Sequence, residues 1–246
     1  MNDAGVVVGS RLELVALTEG APGLNFTSTS FIFNGEDFVP FAVPDAGRTA
    51  VSDINDLGHI VGDFSVLRGF DGPEKGFLYN GETFQSVEFP GSTRTSVSGI
   101  NNLGQMVGTY GDSPINHFGF LFDGDEFLAL SLLGVESTSP AAINDLGVVV
   151  GSFHNSSFNG TSAVGFILAD GEYQGIRFPN AVDTWVSGIN TQGEIVGYYS
   201  DASGARHAFL GAPVPEPSGL GLLVAALLCF VFLHAAAFGR QRRRNR

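Results

Sequence analysis

Short runs rich in apolar residues recur along this chain, separated by polar residues and glycines typical of tight turns. One repeat unit, residues 96–134, contains four such runs, at residues 96–100, 105–110, 117–122 and 127–132. Runs of this length bounded by turn residues predict strands, and the Asn, Asp and Gly residues between them favour short turns. Each unit is therefore predicted to form one antiparallel sheet of four consecutive strands.

The turn after the first predicted strand occurs five times in the chain. Each copy places a glycine at the same position, and these glycines are Gly5, Gly58, Gly104, Gly147 and Gly193. They lie 53, 46, 43 and 46 residues apart, and a period of this length indicates one structural unit stacked several times. We expect a type I turn in each copy, with an asparagine side chain bonded to the nearby backbone and the glycine at positive φ.

Several such sheets arranged around one axis form a β-propeller. We therefore predict an all-β fold, in which residues 1–211 form a β-propeller of about five four-stranded repeats, the first and last incomplete. A linear β-solenoid is the alternative, although hairpin turns are not typical of that fold. Residues 10–29 interrupt the repeat, and we expect them to form an inserted loop.

The first repeat begins at a second strand, and the last repeat stops after a third strand. The two missing strands, a fourth and a first, are consecutive in the repeat, so they fit just upstream of Met1. We expect the natural chain to begin earlier, with a secretory signal peptide followed by these closing strands.

Charged residues are divided unevenly along the chain. All 25 acidic residues lie before Pro217, whereas five of the 12 basic residues lie in the last seven positions. A body with such an excess of negative charge repels phosphate backbones, which argues against nucleic acid as a partner and favours attraction of cations. The single cysteine, Cys229, excludes an intrachain disulfide.

Most polar residues that could carry chemistry recur in register with the repeat, which favours a structural role for them. They are the turn aspartates Asp3, Asp56 and Asp145 and the strand serines Ser52, Ser98 and Ser187. The histidines are dispersed, without the spacing of a metal site. The non-repeated acids lie in predicted loops without a motif, and they are Glu13, Glu19, Asp71 and Glu74. We therefore predict no catalytic residue, no metal and no cofactor.

Residues 212–246 follow a different pattern. A proline-rich linker, residues 212–218, contains Pro215, Glu216 and Pro217. Residues 219–239 are mostly apolar and form a predicted transmembrane helix of about 30 Å. The basic tail, residues 240–246, predicts a cytoplasmic end with the repeat domain on the other side of the membrane. Its arginines are Arg240, Arg242, Arg243, Arg244 and Arg246.

The Pro-Glu-Pro motif, the single apolar span and the arginine cluster together resemble the PEP-CTERM sorting signal of Gram-negative bacteria. The repeats resemble the extracellular HAF repeat family, whose name is spelled here by His207-Ala208-Phe209. These resemblances imply export, often alongside exopolysaccharide production. They also imply that an exosortase, a membrane-embedded cysteine transpeptidase-like enzyme, cleaves near Pro215-Glu216-Pro217. The repeat family implies no enzymatic activity.

Three classes of function are open at this point. We predict a non-enzymatic surface or matrix protein, anchored first in the inner membrane with its domain outside the cytoplasm and then displayed at the cell surface or released. Its expected partners are the exosortase, the membrane and a polysaccharide. The alternatives are a lectin-like propeller, in which Trp185 and the tyrosines stack on sugar rings, and a glycoside-acting enzyme. The enzyme would need non-repeated carboxylates about 5–10 Å apart at the central channel.

Overall fold

The computed structural model describes residues 1–15, 25–67, 73–112, 117–131, 135–155 and 162–213. Within these residues the chain folds into 18 β-strands, which form five antiparallel sheets. Residues Met1–Gly211 make up one compact unit.

The sheets follow one another along the chain, and neighbouring strands within each sheet are consecutive in sequence. The first sheet contains β1 (Val7–Val15), β2 (Asn25–Phe33) and β3 (Phe38–Phe41). The second contains β4 (Arg48–Ile54), β5 (Ile60–Ser65), β6 (Lys75–Tyr79) and β7 (Phe84–Val87). The third contains β8 (Arg94–Ile100), β9 (Met106–Gly111), β10 (His117–Phe122) and β11 (Phe127–Leu130). The fourth contains β12 (Ser137–Ile143), β13 (Val149–Asn155), β14 (Ser162–Ala169) and β15 (Glu172–Ile176). The fifth contains β16 (Asp183–Ile189), β17 (Ile195–Ser200) and β18 (Arg206–Gly211).

The first strands of successive sheets lie next to one another around a common axis. Strand β4 contacts β8, β8 contacts β12, and β12 contacts β16, while each of these strands also packs on the middle strands of the preceding sheet. Five antiparallel sheets in this radial arrangement form a five-bladed β-propeller. The predicted propeller is therefore confirmed, and the linear solenoid is not.

The sheets differ in strand number in the way that the repeat predicts. The second, third and fourth sheets have four strands each. Within the described residues, the first sheet has no strand at the position of β4, and the fifth has none at the position of β7. Incomplete first and last repeats were expected from the sequence, and the described strands show them.

On the second strands, a valine packs between sheets, and the glycine after it lets the first strand of the same sheet approach closely. Val61, Val107 and Val150 are completely buried. At the glycines that follow them, an added Cβ would lie 2.0–2.2 Å from a carbonyl oxygen of the first strand, so only glycine fits. These glycines are Gly62, Gly108 and Gly151. The first strand carries a β-bulge beside each of them, which brings its backbone towards the second strand.

Residues 10–29 do not form the inserted loop that we expected. The insertion instead lengthens a hairpin, because Arg11 pairs with Thr29 and Val15 pairs with Asn25 in the ladder between β1 and β2. One segment contains the alternating run Leu12-Glu13-Leu14 and the other the residues Thr27-Ser28-Thr29, and β-branched threonine is common in strands. The loop prediction is therefore wrong for these paired residues, while residues 16–24 lie outside the described part of the chain.

The C-terminal predictions fall on residues that the structure does not describe. They concern the sorting motif Pro215-Glu216-Pro217, the span at residues 219–239 and the arginines of residues 240–246. Of the residues that are described, none belongs to a helix long and apolar enough to cross a membrane.

Candidate functional site

One end of the propeller axis holds a polar pocket, whose wall is built by the turns between first and second strands. The pocket has a volume of about 570 Å³, and all five repeats contribute to it. Each repeat contributes the asparagine that opens its turn, and these are Asn2, Asn55, Asn101, Asn144 and Asn190. This axial pocket is the candidate site, because concave surfaces where several elements converge are where proteins usually bind ligands.

The five asparagines form a ladder of hydrogen bonds around the axial pocket. Asn55 Nδ2 donates to the carbonyl oxygen of Asn101 at 3.0 Å, and Asn101 Nδ2 donates to that of Asn144 at 3.0 Å. The same bond joins Asn144 to Asn190 at 3.0 Å and Asn2 to Asn55 at 3.2 Å. Each of these donors ties its own turn to the next sheet.

The asparagine also holds the turn to which it belongs. Asn101 Oδ1 accepts hydrogen bonds from the backbone N–H groups of Leu103 at 3.1 Å and Gln105 at 2.9 Å. Gly104 has a φ of 80°, and a Cβ on it would meet nothing within 4 Å. The backbone angle, not crowding, therefore requires glycine here. The other turn glycines have φ values of 76–79°, and they are Gly5, Gly58, Gly147 and Gly193.

The second positions of the turns form an outer ring of acidic and amide side chains. Asp56 Oδ1 accepts from the N–H of Asp3 at 2.7 Å, and Asn102 Oδ1 accepts from the N–H of Asp56 at 2.8 Å. Asn102 Nδ2 donates to Asp56 Oδ2 at 2.7 Å and to Asp145 Oδ2 at 2.9 Å. The N–H of Asp3, and then the Asn102 amide, lower the pKa of Asp56. These recurring carboxylates therefore join neighbouring sheets.

The strand serines line the same pocket, and they are Ser52, Ser98 and Ser187. Ser98 Oγ donates to the carbonyl oxygen of Pro140 at 2.7 Å, which bonds the third sheet to the fourth. Among the residues that line the pocket, none is a histidine or a cysteine. A serine nucleophile needs an adjacent base, so the pocket wall does not present that arrangement.

Asp53 is the residue at which the axial pocket departs from the repeat. The other sheets have Gly99, Ala142 and Gly188 at this position of the first strand. Asp53 Oδ1 accepts from the N–H of Ile54 at 2.8 Å, and Oδ2 accepts from the N–H of Ile100 at 3.0 Å. Burial raises the pKa of this carboxyl group. Our sequence reasoning missed Asp53, although aligning the repeats would have revealed it as the only acid at that position.

Glu74, one of the predicted non-repeated acids, lies in a network of ion pairs between the second and third sheets. Its carboxylate bridges Arg48 and Arg94. Arg48 also pairs with Asp63 at 2.6 Å, and Ser96 Oγ donates to Asp63 at 3.0 Å. Burial, and then the charge of Asp63, raise the pKa of Glu74, and the two arginines oppose that rise. Glu74 lines a separate pocket of about 240 Å³, so the fold does not bring it to Asp53.

The other predicted acids add no further group to the candidate site. The side chain of Glu13 and the residues Glu19 and Asp71 fall outside the described part of the structure. In the described part, no three or more His, Cys, Asp or Glu side chains are grouped so that they could hold a metal ion. His117 Nε2 lies 2.8 Å from Ser139 Oγ, and His207 Nε2 lies 2.8 Å from Asp201 Oδ2.

A second departure from the repeat lies on the fifth sheet. Trp185 and Tyr198 are directly opposite each other on β16 and β17, with ring centroids 4.8 Å apart and planes 20° apart. The Arg206 guanidinium lies 5.4 Å from the Tyr198 centroid and 6.0 Å from that of Trp185. We call these three residues the Trp185 platform. The corresponding pairs in the second, third and fourth sheets are Ala50 and Asp63, Ser96 and Thr109, and Ser139 and Ser152.

The comparisons with known proteins identify the fold. No model of a known protein family matches the chain, and no curated protein matches it. An acylaminoacyl peptidase from Pyrococcus horikoshii is similar in structure, with a TM-score of 0.54, 15% identity, and coverage of 90% of this chain and 37% of that one. An acylaminoacyl peptidase in complex with Z-Gly-Gly-Phe-chloromethyl ketone has a TM-score of 0.51 at 15% identity, over 89% of this chain and 37% of that one.

A fucoside-bound Aleuria aurantia lectin also matches, with a TM-score of 0.47, 10% identity, and coverage of 87% of this chain and 80% of that one. The chain spans a little over a third of the length of the peptidases. At these identities the likeness shows the fold alone. Its own sheet topology defines the protein as a five-bladed β-propeller.

Proposed function

We propose that this chain is an exported repeat protein of the cell surface or extracellular matrix, with a structural or binding role and no enzymatic activity. Its C-terminal signal is the substrate of an exosortase, which removes the apolar span after the propeller has crossed the inner membrane. The observation that carries the non-enzymatic part is the asparagine ladder, because it commits the recurring polar groups of the axial pocket to bonds between sheets.

Asp53 and Glu74, which the structure describes and which do not recur in the repeat, also have bonding partners. Asp53 accepts two backbone hydrogen bonds, and Glu74 bridges two arginines. They line different pockets, whereas glycoside hydrolysis needs two carboxyl groups about 5–10 Å apart on either side of one bond. These two non-repeated acids therefore favour a scaffold over the glycoside-acting alternative.

The export part of the proposal rests on the sequence. The arginines at residues 240–246 favour retention of that end in the cytoplasm, which leaves the propeller on the outer side of the membrane. The acidic propeller body disfavours nucleic acid as a partner. A polysaccharide remains the expected partner outside the cell, since it requires hydrogen bonds and aromatic faces but no basic surface.

The processing step can be tested with the full chain placed behind a secretory signal peptide in a Gram-negative host, with and without a co-expressed exosortase. We expect the unprocessed chain in the inner-membrane fraction without the enzyme, and a shorter product lacking the span when the enzyme is present. Replacing Pro215, Glu216 and Pro217 with alanine should prevent shortening, whereas Ser218→Ala is the matched control. Equal processing of both variants, or a chain that stays in the cytosol, would contradict the proposal.

A second candidate function is lectin-like sugar binding, and the Trp185 platform is the observation that favours it. Aromatic faces stack on the apolar faces of sugar rings, and an arginine above them would favour a sugar acid. Calorimetric titration of the full chain in detergent with uronic-acid oligosaccharides tests this candidate. Binding should weaken at least tenfold in both Trp185→Ala and Arg206→Ala, while Phe118→Ala, an exposed aromatic residue on the third sheet, serves as the control.

A further inference from the structure

Three leucines on neighbouring turns of the propeller are exposed to solvent. Leu57, Leu103 and Leu146 occupy the third position of the turns between first and second strands in the second, third and fourth sheets. They are 63%, 69% and 75% exposed. A single exposed leucine is ordinary on a protein surface. These three are not scattered, because the repeat brings them to the same place on consecutive sheets.

The turn itself does not require leucine at this position. The first and fifth sheets have Ala4 and Gln192 there. The backbone N–H of Gln192 donates to its turn asparagine at 3.0 Å. The backbone N–H groups of the three leucines make the same bond at 3.1 Å. The leucine side chains take no part in these bonds, so the structure of the turn does not explain them.

The three turns that carry these leucines lie side by side. Asn102 Nδ2 donates to Asp56 Oδ2 at 2.7 Å and to Asp145 Oδ2 at 2.9 Å. Each of these three polar residues directly precedes one of the leucines in the chain, and all three line the axial pocket. The leucines therefore form an arc beside that pocket.

The turns between third and fourth strands lie at the same end of the propeller. Third strands end beside the start of second strands, as the pairing of Phe122 with Met106 and of Tyr79 with Ile60 shows. We call the end that carries both sets of turns the turn end. Exposed acids occupy the turns between third and fourth strands, and they include Glu36, Glu82, Asp125, Glu126 and Glu172.

Basic side chains are placed away from the turn end. Within the described part of the chain, lysine and arginine begin first or third strands, follow a fourth strand or lie within a hairpin, and they are Arg11, Arg48, Lys75, Arg94, Arg177 and Arg206. First and third strands begin at the end of the propeller opposite the turn end, and fourth strands finish there. The described turn end therefore combines apolar side chains with a single sign of charge.

We propose that the turn end docks a cationic amphipathic segment of a partner protein. Apolar side chains of that segment contact Leu57, Leu103 and Leu146, and its lysine or arginine side chains face the surrounding acids. The charge selects this class of partner, because a negative surface attracts cations and repels a second copy of the same surface. The proposal goes beyond the proposed function, which names a polysaccharide as the partner, and it does not depend on export.

The leucines favour a peptide over a sugar chain. An exposed leucine offers a sugar neither a hydrogen bond nor a flat aromatic face. Apolar side chains of a peptide, by contrast, are removed from water when they pack on leucine, which supplies affinity without a fixed geometry. The hydrogen bonds of Asn102 to Asp56 and Asp145 already hold the turns in place, so little conformational entropy is lost on binding.

A helical peptide of about 18 residues, with leucine on one face and lysine on the other, is the probe. It carries a photoreactive group at its centre and is titrated into the full chain in a neutral detergent, with micelles that lack protein as the blank. We expect saturable binding that weakens about tenfold when the ionic strength rises from about 50 mM to about 300 mM, because salt screens the charges. Cross-links should fall on residues 55–58, 101–104 and 144–147.

The repeat itself supplies a substitution that tests the leucines. The triple variant Leu57→Gln, Leu103→Gln and Leu146→Gln places in each turn the residue type found at position 192, so the melting temperature should change by less than about 2 °C. Peptide binding should weaken about tenfold, because the apolar contact is lost. The control is Val66→Gln with Leu67→Gln, since these side chains are 70% and 58% exposed beyond the end of β5 opposite the turn end. Equal binding by the triple variant and the natural chain would overturn the proposal.

The acids of the turn end are tested separately. Asp125→Asn removes one charge from the turn end, whereas Asp45→Asn removes one from the opposite end, where Asp45 follows β3. The first variant should bind the peptide about threefold more weakly, and the second should bind it normally. Equal effects would mean that the total negative charge attracts the peptide, which would overturn docking at the turn end.

Other occupants of the turn end give different outcomes. A peptide with serine in place of every leucine should bind about tenfold more weakly, and equal binding would overturn the apolar part of the proposal. The proposal is also overturned if the natural chain does not bind the leucine-lysine peptide, or if the natural chain forms a dimer that the triple variant dissociates. Binding of glucosamine oligosaccharides at the turn end as tightly as the peptide would overturn it too. Processing by an exosortase is a separate measurement, so failure of the proposed function would not be confused with failure of this docking.

Discussion

The side-chain amide of Asn101 donates a hydrogen bond of 3.0 Å to the carbonyl oxygen of Asn144, 43 residues further along the chain. The same side chain accepts two backbone hydrogen bonds from its own turn. Asn101 is therefore both a local turn residue and a contact between the third and fourth sheets. An amide can do both, whereas a carboxylate can accept but cannot donate.

Replacing Asn101 with aspartate should destabilise the propeller. The substitution keeps the acceptor for the turn but removes the donor to Asn144, which leaves a buried carbonyl group without that partner. We expect a loss of about 1–3 kcal/mol in the free energy of unfolding, measured by urea denaturation. Asn80→Asp is the matched control, because Asn80 Oδ1 only accepts from Glu82 and Thr83. Equal losses in both variants would contradict the role of the ladder.

Two glycines of the third sheet should respond to alanine for different reasons. Gly104→Ala forces a Cβ into the left-handed region, which costs about 1–2 kcal/mol. Gly108→Ala places a Cβ 2.0 Å from the carbonyl oxygen of Ser96, so a backbone shift is unavoidable and the loss should exceed that of Gly104→Ala. Thermal unfolding of the two variants checks the order. The reverse order would show that the first strand moves away from the new Cβ at little cost in free energy.

Asp53 should make the stability depend on pH with a definite sign. Its pKa in the folded protein is raised above the ordinary 3.8 by burial. A group with a raised folded-state pKa contributes stability that is fully present below the unfolded value and is lost as pH rises through the folded value. The Asp53→Asn variant lacks this contribution. We therefore expect the advantage of the natural protein over Asp53→Asn to grow as the pH falls from about 7 to below about 4.

Denaturation of both proteins across that pH range measures the difference directly. An advantage that shrinks on acidification would mean that the hydrogen bonds from Ile54 and Ile100 outweigh burial in setting the pKa. Those two hydrogen bonds would then stabilise the charged form of Asp53 by more free energy than burial costs it.

Val61 and Val196 occupy the same repeat position but differ in burial. Val61→Ala removes two buried methyl groups and should cost about 2 kcal/mol in the free energy of unfolding. Val196→Ala removes the same groups from a side chain that is 48% exposed, and should cost less than about 0.5 kcal/mol. Urea unfolding of the full chain measures both values, and equal losses would contradict the difference in burial.

Much of the fold follows from local sequence. The period of the turn glycines and the short apolar runs between the turns predicted the strands, and in the third sheet the observed strands match the prediction to within two residues. Both signals depend on short-range physics, because the turns need Asn and Gly at set positions and the strands need apolar side chains. The 10–29 segment was mistaken for a loop because it lengthens the first repeat to 53 residues.

The candidate site was less accessible to sequence reasoning. The sequence identified the turn residues, but not that Asn101 reaches Asn144 or that Asp53 bonds to Ile100, because these contacts join different sheets. The Trp185 platform likewise depends on which residues of β16 and β17 lie opposite each other. Contacts between residues more than 40 positions apart depend on how successive sheets pack around the axis, and no local pattern records that geometry.

By itself, the sequence determined the repeat, its turns, the number of sheets and the acidic character of the body, since each depends on residues close together in the chain. Only the tertiary structure decided which polar groups the sheet contacts use, and that Val196 is exposed where Val61 is buried. These two valines have the same local sequence and differ only in whether another strand lies over them. That difference arises between sheets, where packing and not local preference sets the environment of a side chain.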